Sequence, residues 1–314
     1  MRNILITGGA GFLGQRLATH LLEQPDLKQL TLADVLLPAN TTNDPRVRTV
    51  QADLTDAKAT QALITPELTA IYHLAAVVSG QAEANFDLGM RVNCDGTRHL
   101  LEAVRQNALG AIFIFASSLA VFGGDLPAVI TDQTVLMPQS SYGTQKAICE
   151  LWVNDYSRKG FIDGRVLRLP TVCVRPGKPN AAASSFASSI IREPVQGDRA
   201  VCPVDLNLEL WLSSPTAVTK NLAHALTLNA DQFEFTRSLN LPGITVSVQS
   251  MLEALAAVAG DEARARVDCQ RDETISRIVA SWPSQFKVSR AVELGFEGDR
   301  NFQDIVRAFI SEQT

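Results

Sequence analysis

The chain has 314 residues, 46% hydrophobic and 19% charged, with a formal net charge of −5, the profile of an ordinary globular protein long enough for one large domain or two modest ones. Phosphate binding needs clustered Lys and Arg, which are absent here, so the balance excludes nucleic acid as the main partner. No apolar run is long enough to cross a bilayer, and Met1-Arg2-Asn3 leads straight into a strand, so neither membrane nor signal peptide is expected and a cytoplasmic setting is.

Ile4-Leu5-Ile6-Thr7 reads as a strand, Gly8-Gly9-Ala10-Gly11-Phe12-Leu13-Gly14 as a tight turn, and Gln15 to Leu22 as an amphipathic helix. This is the pattern of a dinucleotide site: Gly8 for the turn, Gly11 for close approach to a pyrophosphate, Gly14 for helix packing on the strand. The helix N-terminus then offers N–H groups and a positive dipole end to phosphate. Asp34 closes the next apolar run about twenty residues on, where a carboxylate binds the ribose hydroxyls and selects NAD over NADP.

Strands are predicted at 48–52, 70–74 and 111–116, separated by helix-length segments, which is the alternation of a parallel sheet covered on both faces. Asp53 and Leu54 follow the third strand and His73-Leu74-Ala75-Ala76 closes the fourth, so these stretches are expected at the cofactor crevice, with the small Ala75 and Ala76 leaving room. A helix at 86–106 contains Asn93 and Gly96, and a glycine inside a helix is costly unless something packs closely against it. A further strand, 165–169, runs into Pro170. The Pro, Ser and Ala-rich stretch that follows, to about Leu212, is too long for a simple connection and reads as part of a substrate-covering region. Ser214-Pro215 opens a helix towards Leu228, Ser238–Leu241 returns as a short strand, a helix from Ser247 stops at Gly260, and Asn301 caps a last helix over 302–310. The five cysteines have no metal-type spacing and read as small hydrophobes, and no metal site is expected.

Ser117-Ser118 leave the buried strand around Phe113–Ala116, and Tyr142 and Lys146 follow at i and i+4 on a helix, projecting from one face. A free tyrosine has a pKa of about 10. The Lys146 ammonium, with an oxidised nicotinamide, is expected to depress it so that Tyr142 serves as the base, while Lys146 also holds the nicotinamide ribose and Ser118 binds the reacting oxygen. His73 is weighed as a participant against a satisfied buried histidine, and His20, His99 and His224 are given no role.

Gly8-x-x-Gly11-x-x-Gly14, Asp34, Asp53, His73-Leu74-Ala75-Ala76, Asn93, Ser118 and Tyr142-x-x-x-Lys146 together resemble the extended short-chain dehydrogenase/reductases, the NAD-dependent epimerase/dehydratase-like group, over essentially the whole chain. The resemblance implies a Rossmann-type, doubly wound α/β sheet with a smaller, discontinuous C-terminal substrate domain: residues 1–170 and 213–241 for NAD, 171–212 and 242–314 for substrate. It implies that Phe12 and Leu13 lie over the pyrophosphate, that Asp53 and Leu54 flank adenine, that Leu74, Ala75, Ala76, Asn93 and Ser117 serve the cofactor, and that Pro170 and Val172 meet the nicotinamide. It also implies a homodimer through a four-helix bundle built from the helices bearing Asn93 and Tyr142.

Sugar-nucleotide members of that group carry an Arg-Asp-aromatic sequence whose arginine grips a diphosphate; here the matching stretch is Leu208-Glu209-Leu210-Trp211-Leu212, with Arg199 or Arg192 the available substitutes. The runs 76–83, 138–142 and 169–180 instead resemble the D-erythronate dehydrogenase branch, which oxidises the 2-hydroxyl of a four-carbon sugar acid by passing its hydride to NAD. Ser79, Ser118, Tyr142, Asn180 and a fork-shaped guanidinium suit a polyol carboxylate, with Arg175 first for the carboxylate and Lys178 and Arg192 behind it. The rival readings are a nucleotide-sugar epimerase/dehydratase and a non-catalytic NAD-binding sensor.

Overall fold

A computed structural model describes residues 1–177, 182–234 and 236–313. Its strands are β1 (Arg2–Thr7), β2 (Leu27–Asp34), β3 (Val47–Gln51), β4 (Ala70–His73), β5 (Ile112–Ser118), β6 (Asp163–Leu169), β7 (Thr171–Val172), β8 (Ala200–Cys202), β9 (Glu209–Ser213), β10 (Ser238–Asn240), β11 (Ile244–Ser247) and β12 (Val267–Cys269). Seven form one sheet in the order β10-β6-β5-β4-β1-β2-β3, every pairing parallel. The order reverses beside β1, the switch point at which such sheets open a crevice beyond their strand ends.

Strand alternation sorts the side chains of β1 onto two faces. Ile4 and Ile6 join Leu17, Leu21, Val218 and Leu222 beneath the helices Phe12–Leu22 and Pro215–Ala225. Leu5 joins Ile71, Phe113, Phe115, Leu100, Cys149 and Val153 beneath Gly96–Asn107 and Ser141–Arg158. Each such side chain, fully buried, contributes roughly 1.5–3 kcal/mol. This is the doubly wound α/β sheet that the alternation of elements predicts.

A third core gathers Cys173 to Leu212 with Val246 to Phe309 around the helices Ser185–Val195 and Val248–Ala259. Its strands are short: β11-β9-β7 form one small sheet and β12-β8 another. Residues 288–296 cross back, burying Ala291 and Phe296 against the larger sheet.

Two local differences from the predicted elements have physical causes. The helix expected at 86–106 is interrupted by a π-helical turn, Met90–Asp95, between Phe86–Gly89 and Gly96–Asn107. A π turn has no residue-type signature of its own, so the sequence reads as one continuous helix there. Gly96 just after it meets the Leu54 side chain, only 3.3 Å from where a Cβ would stand, which is the close packing its placement required. The helix opened by Ser214-Pro215 stops at Ala225, short of Leu228.

Candidate active site

The crevice at the C-terminal edge of the large sheet encloses about 430 Å³ and is lined by Gly8, Gly11, Phe12, Leu13 and Gly14 at one end and by Ser118, Tyr142, Lys146, Arg175 and Trp282 at the other. The glycine turn is dictated by backbone contact. Gly8 has φ +76°, and a Cβ on Gly14 would stand 2.3 Å from the Gly8 carbonyl. Gly11 caps the helix Phe12–Leu22 and faces the crevice, so the first N–H groups of that helix point at whatever phosphate enters. Asp34 sits at the end of β2 and accepts a hydrogen bond from Ala10 N at 3.0 Å. Its carboxylate therefore fastens the turn and keeps a further oxygen for a ribose, so these residues fit an NAD molecule.

Leu74, Ala76, Ser117, Pro170 and Val172 also line the crevice. Asp53 caps the following turn through Thr55 N at 2.9 Å, Leu54 is buried under Gly96, and Ala75 packs its backbone against Gly8. Asn93 does not reach the crevice. Its amide is committed to Val77 N at 2.8 Å, Val77 O at 3.0 Å and Gln145 Oε1 at 2.7 Å, so it anchors the loop after β4 from below. The Ser117 hydroxyl is likewise committed, to Glu150 Oε1 at 2.5 Å. His73 is satisfied on both ring nitrogens, by Thr7 at 2.7 Å and Thr97 at 2.8 Å, and burial followed by the Lys146 charge pushes its pKa down to about 3. It is a neutral structural histidine.

Ser118 ends β5, and Tyr142 and Lys146 open the helix Ser141–Arg158, capped by the Ser140 side chain on Gly143 N. Gly143 lets that helix approach: a Cβ there would fall 2.1 Å from the Ala120 carbonyl. Lys146 is 3% exposed, donates to Ala116 O at 2.8 Å, and places its Nζ 4.6 Å from the Phe115 ring centroid and 5.8 Å from that of Tyr142. Burial pushes its pKa down to about 8. Burial also pushes the Tyr142 phenol up to about 12, opposed by the neighbouring Ser118 hydroxyl and the Arg175 charge, which is the reverse of the depression expected from Lys146: in this buried pocket desolvation outweighs the neighbouring cations.

Arg175 joins the crevice from the segment after β7. Its backbone N donates to Ser188 Oγ at 3.0 Å and its carbonyl accepts from Arg192 Nη1 at 2.8 Å. Among the described residues no carboxylate partners its guanidinium; Tyr142, Cys173 and Arg192 are the ionisable groups that act on it, and burial lowers its pKa first of all. Arg192 differs: it pairs with Glu193 at 2.6 Å and bonds Ser189 Oγ at 3.1 Å, so it holds Arg175 in place with its own charge balanced. Ser79 accepts from Ala183 N at 3.1 Å and ties the loop after β4 to the covering segment. Lys178 and Asn180 lie outside the described residues. Sequence reading missed Trp282, which has no motif around it, and Glu150, whose signal was available: it follows Tyr142 and Lys146 at i+8 and i+4 on one helix face.

Four cysteines are buried and Cys269 is exposed; Cys202 and Cys269 are register partners on β8 and β12, a pairing that their separation in sequence hides. No group of residues suited to a metal occurs among the described residues, and none of their helices is long and apolar enough to cross a membrane.

A parallel sheet opening on a glycine turn, with serine, tyrosine and lysine gathered at the same edge, is the architecture of a dinucleotide-dependent oxidoreductase. The chain belongs to the NAD dependent epimerase/dehydratase family, whose sequence profile matches residues 4–211. It is 52% identical to the D-erythronate dehydrogenase of Haemophilus influenzae over 98% of each chain, and 50% identical to that of Cupriavidus necator over 99% of this chain and 98% of the relative. The crystal structure of a nucleoside-diphosphate-sugar epimerase from Agrobacterium tumefaciens is similar with a TM-score of 0.93 at 41% identity, covering 99% of this chain and 94% of that one.

Proposed function

We propose that the protein oxidises the 2-hydroxyl of D-erythronate to give 2-dehydro-D-erythronate, with NAD as the oxidant. The observation that carries this reading is the Arg175 guanidinium, half-buried in the crevice beside Tyr142 and without a carboxylate partner among the described residues. Three cations line that crevice within the described residues: Lys146 bonds Ala116 O and Arg192 pairs with Glu193. One remaining charge suits a single carboxylate and is too little for a diphosphate. The identity to two D-erythronate dehydrogenases supports the choice of acid.

When bound, NAD supplies the acceptor for the electron pair and hydrogen that leave C2. Arg175 binds the carboxylate and thereby fixes which hydroxyl reaches the catalytic groups. Ser118 orients that oxygen, and Tyr142, once ionised against the upward push of its burial, takes its proton. The Lys146 ammonium lies against the face of the Tyr142 ring, where its charge favours the phenolate. Phe12, Leu13, Pro170 and Val172 give the crevice its apolar lining.

The similarity to a nucleoside-diphosphate-sugar epimerase structure favours a second reading, and one experiment separates the two. NADH absorbance is followed while enzyme and NAD are offered erythronate, threonate, longer aldonates and a UDP-sugar. The proposal expects NADH with erythronate; conversion of the UDP-sugar without net NADH replaces it with the epimerase reading.

We further infer a cytoplasmic homodimer, paired through the helices spanning 86–107 and 141–158 from each copy. Phe86 and Leu151 on these helices are 59% and 66% exposed, apolar side chains that a second copy would cover. Sedimentation should report a dimer that Leu151→Glu converts to monomer.

A further inference from the structure

We propose that Glu150 is a positioning residue for the catalytic set, clamping the end of β5 that carries Ser118 to the helix that carries Tyr142 and Lys146. The inference rests on the reading of those three as the catalytic residues.

Ser117 and Arg168 are register partners on the adjacent parallel strands β5 and β6, so their side chains rise from the same face of the sheet. Both converge on one carboxylate. Ser117 Oγ donates to Glu150 Oε1 at 2.5 Å, while Arg168 reaches Oε1 at 3.0 Å through Nε and Oε2 at 2.7 Å through Nη2. The two charged side chains are only 2% and 5% exposed. Arg168 is held in turn by the Phe122 ring, 5.0 Å from its guanidinium carbon, and by Asn240 Oδ1 at 3.4 Å.

A buried ion pair is a poor stabiliser compared with apolar packing of the same shape. Its value here lies in where it fastens. One turn earlier on the same helix Lys146 donates to the Ala116 carbonyl, so successive residues of β5, Ala116 and Ser117, are laced to successive turns of the helix. Ser118 follows immediately. Any slack between strand and helix becomes slack between Ser118 and Tyr142, and misplacement of about 1 Å at such a distance is costly to rate.

The clamp also places charge. Lys146 is faced by Tyr142, Cys149 and Glu150 from its own helix, by Cys94 from the π-helical turn, by the Phe115 ring and Ala116 carbonyl from β5, and by the neutral His73 from β4. Glu150 is the one carboxylate among these, and it favours the ammonium.

Two variants test the proposal. Ser117→Ala keeps the ion pair and removes only the tie to the strand; kcat on erythronate should fall about tenfold while NAD affinity, read by calorimetry, stays within about twofold. Glu150→Gln removes the anion that acts on Lys146 and leaves Arg168 with Asp132 as its remaining carboxylate neighbour; losing the Glu150 charge disfavours the Lys146 ammonium and favours the Tyr142 phenolate. Both limbs of the kcat–pH profile should then move towards acid by about one unit, a shift that loss of packing alone does not produce. Wild-type kcat in Ser117→Ala, or an unmoved profile in folded Glu150→Gln, overturns the proposal. If the wild type converts a UDP-sugar rather than any acid, the substrate reading falls, and the same two variants are read on that reaction.

Discussion

The two ends of the crevice are built by different means. At the glycine turn, main chain meets main chain: Gly14 stands against the Gly8 carbonyl, Gly8 against Ala75 N, and Asp34 ties Ala10 to β2. At the other end side chains form the wall, and beyond Ser118, Tyr142 and Lys146 the Arg175 side chain is presented by Ser188 and Arg192 from the helix Ser185–Val195. The first arrangement admits no side-chain variation and recognises what every NAD shares. The second is made of exchangeable side chains on a covering segment, so the choice of substrate can change there without disturbing the cofactor.

This division is broken or sharpened by variants at each end. The largest effect belongs between them, at the chemistry: Tyr142→Phe should lower kcat about 10³-fold with NAD affinity unchanged, checked by NADH formation and calorimetry side by side. Next is Arg175→Met, which removes a charge-assisted contact to the carboxylate; the KM for erythronate should rise about 10- to 150-fold while NAD affinity holds. A loss of NAD affinity in that variant would deny that the two ends act independently. Gly14→Ala should do the converse. Its Cβ would overlap the Gly8 carbonyl, forcing the helix off the strand, and NAD affinity should weaken about tenfold at a stability cost of about 1–3 kcal/mol. An unchanged NAD affinity would show that the turn tolerates more than its contacts allow.

The same difference explains what was legible in the sequence. The glycine turn, Asp34, Ser118 and the Tyr142/Lys146 pair are local patterns, each fixed by strand end or helix spacing, and the structure brings them to one edge. Ser117, Asn93 and Arg192 stand in segments that the sequence marks for ligand contact, and Ser117 and Arg192 do line the crevice. Their partners, Glu150, Val77 with Gln145, and Glu193 with Arg175, are settled by packing of several elements at once. Glu150 itself shows the limit: its place on the helix face was visible, but a carboxylate there reads as solvent-exposed until Arg168 is seen beside it.

The smallest effect tests whether the cofactor half is as rigid in solution as its contacts suggest. His73 links β4 to Thr7 on β1 and to Thr97 on the helix Gly96–Asn107, and it does so as a neutral ring whose pKa is held at about 3. Unfolding restores an ordinary histidine with a pKa of about 6.5. Below that value the unfolded chain binds a proton that the folded one refuses, so stability falls as pH drops through the window from 6.5 towards 3. Between pH 7 and pH 5 this linkage costs about 2 kcal/mol. The urea midpoint of the wild type should fall accordingly, and His73→Gln, which has no proton to take up, should show a shallower pH slope whatever its absolute stability. Equal slopes in the two proteins would mean that the ring opens to solvent and titrates normally, and that the cofactor half is looser than its hydrogen bonds imply.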